Sequence, residues 1–188
     1  MAAGANTGDE ELMLSYRDGD AGAFDALYAR HKGGVFRYLL RQCRDTATAE
    51  ELVQDVWMNL IRARAGYTVQ AKFTTYLYRL AHNRLIDHYR MNGHVALVSF
   101  DDEDREELAE LPDERERPAD DALDARRQAG RLLELIAALP AAQREAFLLQ
   151  QEGGMSVEEI SQATGVNRET VKSRLRYAMA RLRQGMRE

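Results

Sequence analysis

The chain has 188 residues, 26 Lys plus Arg against 31 Asp plus Glu, and 45% hydrophobic residues. That length suits one medium domain or two small ones, and no apolar run approaches the ~18 residues of a membrane helix. Cys43 is the single cysteine, which excludes an intramolecular disulfide and a cysteine-built zinc site. Residues 1–10 lack the basic start and apolar core of a signal peptide, so a reduced, soluble, cytoplasmic chain is expected. Aromatics at 7%, three prolines and little strand-like alternation predict an all-α fold.

The net charge of −5 is unevenly spread. Residues 1–95 carry +1, residues 96–125 carry −10 and residues 126–188 carry +4. The acidity therefore sits in one middle stretch, and the terminal block is basic.

In the first block, Phe24, Leu27, Tyr28, His31, Val35, Tyr38 and Leu39 recur at spacings of three and four and predict one helix. The residues Asp45, Thr46, Ala47 and Thr48 provide turn and N-cap chemistry before a second helix, striped by Leu52, Val53, Val56, Trp57, Leu60 and Ile61. Gly66 breaks that helix. Phe73, Leu77, Leu80, Ala81 and Leu85 mark a third, closed by Asn92 and Gly93. Gly33 and Gly34 fall inside the first of these helices without an evident reason.

Residues 96–125 hold thirteen carboxylates, Pro112 and Pro118, and few apolar side chains. Such a stretch reads as a flexible acidic linker between two small helical domains, residues 1–95 and 126–188.

The last block begins with an amphipathic helix through Leu132, Leu133, Leu135, Ile136 and Leu139, ended by Pro140. Phe147, Leu148 and Leu149 lie on the next, which stops at Gly153 and Gly154. Ser156 and Glu159 have capping-box spacing at the head of a short helix that ends at Gly165. Asn167 caps a final helix, with Val166 and Val171 at staple spacing. A short helix, a glycine turn and a capped helix predict a helix-turn-helix.

That final helix buries Val171, Leu175, Ala178, Met179 and Leu182 and carries seven cations. Phosphate binding needs clustered cations, and base reading needs forked or small polar donors near the helix start. Arg168, Thr170, Lys172, Ser173 and Arg176 supply those types. On the third helix, Lys72, Tyr76, Arg79, Asn83 and Arg90 share a face, with Tyr78, His82 and Tyr89 beside it. Aromatic rings with Arg and Asn suit unpaired bases, although partly buried packing accounts for the same pattern.

The run AEELVQDVW at residues 49–57, then FTTYLYRLAHNRLIDHYR at 73–90, resembles the second conserved region of bacterial RNA polymerase sigma factors. LPAAQREAF at 139–147, SVEEIS at 156–161 and TVKSRL at 170–175 resemble their fourth region. The size and the two-region layout are similar to the extracytoplasmic-function (ECF) group. Tyr76 stands where many members have Trp.

The resemblance implies a sigma factor that binds core RNA polymerase and directs promoter-specific initiation. It implies core-polymerase binding by Glu50, Glu51, Gln54 and Asp55, and −10 recognition and melting by Tyr67, Tyr76, Arg79, Asn83, Asp87 and Arg90. In it, residues 66–72 accept a flipped base stacked on Tyr67. At the −35 element, Lys172, Ser173 and Arg176 reach base edges, Arg168 and Arg174 hold phosphates, and Thr170 lies among them. An anti-sigma factor is a further partner in this reading.

No cofactor, metal site or enzymatic activity is expected. The histidines lack metalloprotease spacing and no phosphate loop is present. A regulator of another family, such as a LuxR-like activator, would need an effector or phosphoacceptor domain in the first 95 residues, with strands and a buried acidic pocket. A pure interaction protein would leave the basic final helix without a purpose.

Overall fold

The computed structural model describes residues 7–93 and 122–187. Among these, all the regular structure is helical. The acidic run at 101–104 and most of the expected linker lie outside the described residues.

The N-terminal unit holds α1 (Asp9–Arg17), α2 (Ala21–Cys43), α3 (Thr46–Ala63), a 3₁₀ turn (Arg64–Gly66) and α4 (Phe73–Met91). The C-terminal unit holds α5 (Ala122–Ala138), α6 (Ala141–Gly153), α7 (Val157–Thr164) and α8 (Arg168–Arg187). Helix α1 was not anticipated; it buries Leu12, Met13 and Tyr16 against its neighbours. Helix α5 starts at Ala122, inside the stretch assigned to the linker.

The helix starts follow local chemistry. Asp20 accepts from the Gly22 N–H, and Asp45 accepts from the Thr48 N–H at 2.8 Å. The capping box is formed in both directions: the Ser156 N–H donates to Glu159 at 2.8 Å and the Glu159 N–H to Ser156 Oγ at 3.3 Å. Asn167 Oδ1 accepts from the Thr170 N–H at 2.9 Å. Each such cap satisfies an N–H that would otherwise be orphaned, contributing roughly 1 kcal/mol. At α4 the cap comes from elsewhere: the Glu10 carboxylate of α1 accepts from the Phe73 N–H at 2.6 Å.

Phe73, Leu77, Ala81 and Leu85 form the buried stripe of α4, facing Leu52, Val56 and Leu60 of α3 in one apolar cluster. Full burial of each Leu stabilises by about 1.5–3 kcal/mol. Trp57 meets Tyr28 and Phe24 edge-on, at ring-centroid distances of 5.0 and 5.9 Å. In the C-terminal unit, Ile136, Leu148, Ile160, Val171, Leu175 and Leu182 are buried. Leu132 and Leu133 were expected on the inward stripe of α5 but are 36% and 48% exposed; Ile136 and Leu139 fill the core side.

The two units are packed together, α6 against α2 and α7 against α4. Polar groups carry much of this contact. Glu145, 2% exposed, accepts from the Tyr38 hydroxyl at 3.0 Å and lies 2.6 Å from His82 Nδ1. Glu152 pairs with Arg37 at 2.7 Å and Arg41 at 3.0 Å, and its carbonyl accepts from the Tyr78 hydroxyl at 2.9 Å. Glu159 pairs with Lys72 at 2.8 Å.

At Gly34 of α2, an added Cβ would stand 2.8 Å from the Tyr78 hydroxyl of α4 and 3.1 Å from the Glu152 carbonyl oxygen of the other unit. The mid-helix glycine thus makes room for the Tyr78 hydroxyl and for the Glu152 backbone that it bonds.

Candidate nucleic-acid interface

The loop between α3 and α4 walls a cavity of about 370 Å³, lined by Gly66, Tyr67, Thr68, Gln70, Ala71, Thr75, Tyr76 and Arg79, with Ala63 and Gln162. Helix breaking at Gly66 and the restart at Phe73 create the loop. Glu10 anchors its far end, and Arg17 Nη1 donates to the Tyr67 carbonyl at 3.2 Å.

The Tyr67 and Tyr76 rings lie 5.3 Å apart, and the Arg79 guanidinium sits 5.8 Å from the Tyr76 ring centre. Tyr67 is 5% exposed, so it forms a wall of the cavity rather than an open stacking platform. Tyr67 OH and Thr75 Oγ1 are buried and find no hydrogen-bond partner among the described residues. Burial pushes the Tyr67 hydroxyl up to about 12, reinforced by Glu10 and Tyr76, so near neutral pH it remains a hydrogen-bond donor. Burial raises Tyr76 too, against an opposing effect of Arg79. The chemistry available is a half-enclosed cleft with two aromatic walls and one cation, suited to a flat polar ring.

Arg79, Asn83, Asp87 and Arg90 continue outward along α4 as an exposed face. His82, Asn83, Ile86, Asp87 and Arg90 line a second cavity. Tyr78, His82 and Tyr89, read from the sequence as flanking this face, are buried instead. Tyr78 and His82 meet the C-terminal unit, and the Tyr89 hydroxyl donates to the Gln42 carbonyl at 3.0 Å.

On α8, the Asn167 cap sets the start of the helix. Arg168, Lys172 and Arg176 are exposed, and Thr170 and Ser173 are half-buried between them. Arg168 pairs with Glu158 of α7 at 2.6 Å, and Lys172 with Glu169 at 2.8 Å. Hydrogen bonding to Lys172 holds the Glu169 carboxyl below its usual range. Arg176 sits over the Tyr177 ring at 5.0 Å.

Arg174 departs from expectation. It is 2% exposed, because its position between Val171 and Leu175 turns it toward the apolar side of the helix. In this arrangement it is not available to a phosphate.

On α3, Glu50, Glu51 and Gln54 are exposed, while Asp55 is engaged by Arg84 of α4 at 2.6 Å. Sequence reasoning missed the cluster of Tyr38, His82 and Glu145. The polar run Gln143-Arg144-Glu145 in an apolar helix was the available signal. Among the described residues, no His, Cys, Asp and Glu group is arranged to hold a metal, and no helix is long and apolar enough to cross a membrane.

The family model for Sigma-70 region 2 matches residues 27–95, and that for Sigma-70 region 4 matches residues 129–182. The chain is 31% identical to the RNA polymerase sigma factor CarQ of Myxococcus xanthus, over 92% of this chain and 94% of that one. It is 30% identical to the ECF RNA polymerase sigma factor SigK of Mycobacterium sp. (strain KMS), over 88% and 83% of the two chains.

Its fold is similar to that of CnrH, solved in complex with the cytosolic domain of CnrY, at a TM-score of 0.65 and 22% identity over 94% of this chain and 95% of that one. It is also similar to RpoE of Bartonella quintana, solved with the anti-sigma factor NepR, at 0.63 and 20% over 87% and 96%. With both regions matched in order and relatives aligned over most of their length, the chain belongs to the ECF group of RNA polymerase sigma factors.

Proposed function

We propose that this sigma factor reads a promoter at two places, capturing a melted −10 base in the α3–α4 pocket and reading the −35 duplex with α8. The observation that carries the reading is the pocket itself. The rings of Tyr67 and Tyr76 and the Arg79 guanidinium converge on one cleft, and Asn83, Asp87 and Arg90 extend from it along α4. Extruding a base costs a few kcal/mol, which stacking of about 1–3 kcal/mol and edge hydrogen bonds offset. Lys172, Ser173 and Arg176 are the base readers on α8, and Arg168 is the phosphate contact.

The exposed side of α3, with Glu50, Glu51 and Gln54, is the docking face for core polymerase. RNA synthesis belongs to the polymerase, so this chain works in the cell interior and supplies no catalytic group. The solved relatives were captured with an anti-sigma factor, NepR, and with the cytosolic domain of CnrY, which supports a protein regulator of that kind here as well. The acidic residues that precede α5, 96–121, tether the two units.

Reconstitution with core polymerase and selection from a promoter library tests the whole reading. Enrichment of a paired −35 and −10 sequence is expected. Combining Glu51→Arg with Gln54→Ala should abolish polymerase binding, and unchanged binding would remove α3 as the docking face.

A further inference from the structure

We propose that the cavity where α2, α4 and the start of α6 meet binds a phosphate-bearing small molecule, held between the guanidinium groups of Arg44 and Arg144. It shares no lining residue with the α3–α4 pocket.

The cavity measures about 430 Å³, within the range of small-molecule sites. Gln42, Cys43 and Arg44 wall it at the C-terminal end of α2, and Tyr89 does so near the end of α4. Ala141 and Arg144 close it from the first turn of α6. The lining holds two cations and no carboxylate.

Arg144 is the anomaly. It is 5% exposed, and buried charges in folded proteins are paired with opposite charge, because neutral groups do not replace the lost hydration. Arg144 meets only neutral acceptors: Nε donates to Gln42 Oε1 at 3.2 Å, and Nη1 to the carbonyls of Ala137 and Leu139 at 3.1 and 3.2 Å. Arg44 donates to that same Ala137 carbonyl. Two guanidinium groups therefore converge on one oxygen.

Burial first, and then the Arg44 charge, hold the Arg144 guanidinium below its ordinary value, against opposing effects of Tyr89 and Glu145. Glu145 is the next residue, yet its carboxylate oxygen is taken by Tyr38 and His82. Among the described residues, no carboxylate forms an ion pair with Arg44 or Arg144.

The backbone adds to the positive field. Arg44 follows α2 at φ 60° and is the one non-glycine residue at positive φ among the described residues. Glycine is the usual occupant of such a helix end, so an arginine there accepts strain and brings a cation to the wall. Ala141 is the first residue of α6, whose N-terminus has no side-chain cap. Its leading N–H groups supply a partial positive charge beside the two arginines.

Nothing else in the lining opposes an anion. Burial pushes the Tyr89 hydroxyl up to about 12 and raises the Cys43 thiol, so both are neutral near pH 7. Two fixed cations call for a dianion. A phosphate group carries about −1.5 to −2 near neutral pH and three strong acceptor oxygens, and the planar guanidinium fork matches those oxygens. Free phosphate and a phosphate ester share this chemistry.

The test uses the full chain. Inorganic phosphate, pyrophosphate and ADP are each titrated by calorimetry and thermal melting, against sodium chloride at matched ionic strength. Saturable binding of at least one probe is expected, with a melting temperature about 5–10 °C higher at a hundredfold excess over its dissociation constant. Which probe binds separates free phosphate from a diphosphate and from a nucleotide.

Arg44→Gln, at an exposed position, should weaken that binding about ten- to 100-fold. Ala141→Glu supplies a carboxylate from within the chain, at a helix position that favours one. It should raise the melting temperature of the ligand-free protein and abolish the response to the probe. Failure of all three probes to saturate would overturn the site. So would a response of equal size in wild type and Arg44→Gln, which marks the general stabilisation that phosphate salts give by exclusion from protein surfaces.

Discussion

His82 Nδ1 lies 2.6 Å from Glu145 Oε1, joining α4 of one unit to α6 of the other. Burial lowers the affinity of the imidazole for its proton, but the Glu145 charge and its hydrogen bond outweigh that, and the His82 pKa is raised. Tyr38 shares the same carboxylate oxygen and stays neutral, its own pKa held far up by burial. Asp87 and Arg90 line the cavity beside the ring. A raised pKa stabilises the folded form fully below the unfolded value of about 6.5 and loses that contribution as pH rises through the folded value. The melting temperature should therefore fall with pH on the alkaline side of about 6.5, more steeply for wild type than for His82→Gln. Parallel profiles for the two proteins would show that this proton is not linked to folding.

Base reading and phosphate holding separate by residue on α8. Arg176→Ala should relax −35 preference at one position at a cost of about 1–3 kcal/mol. Arg168→Ala should weaken all sequences alike and lower the salt slope by about one. Arg174→Ala, at a buried position, should instead destabilise the fold by about 1–3 kcal/mol. Library selection at two salt concentrations, beside thermal melts, distinguishes the three outcomes.

The pocket hydroxyl allows a clean substitution. Tyr67 OH has no partner among the described residues, so Tyr67→Phe should leave stability unchanged or slightly higher. Promoter opening depends instead on the aromatic wall: Tyr76→Ala, at a half-buried position of the lining, removes stacking of about 1–3 kcal/mol and should slow opening roughly five- to 100-fold. Asn83→Ala, on the exposed face, should impair opening with no change in polymerase binding. Fluorescence of 2-aminopurine in the −10 element reports the opening, and wild-type rates in Tyr76→Ala and Asn83→Ala would count against the pocket.

Asn167→Ala removes the cap on α8 and should cost about 1 kcal/mol. For a chain of this size that lowers the melting temperature by about 2–4 °C. Calorimetry checks the shift, and Asn167→Asp should retain most of the stability.

What could be read from the sequence was what is local. Asp45, Ser156 with Glu159, and Asn167 act within three residues of themselves, and their caps formed as expected. The stripes of α3 and α4 follow from periodicity. Helix α1 escaped notice because nine residues with three apolar anchors give a weak stripe. The exposure of Leu132 and Leu133 and the burial of Arg174 depend on which side of a helix meets a distant partner. Gly34 is conspicuous, yet its reasons lie at Tyr78 and Glu152, far along the chain. The Tyr38–Glu145 bond likewise spans 107 positions. Patterns within one helix carry no information about such pairs.

Glu10 and Arg17 both precede residue 27, where the match to region 2 begins. Through them α1 holds the two ends of the pocket loop, the Phe73 N–H and the Tyr67 carbonyl. The recognisable region is therefore smaller than the working one. A chain trimmed to begin at residue 27 would keep every side chain that lines the cleft and lose the scaffold that keeps the cleft in shape.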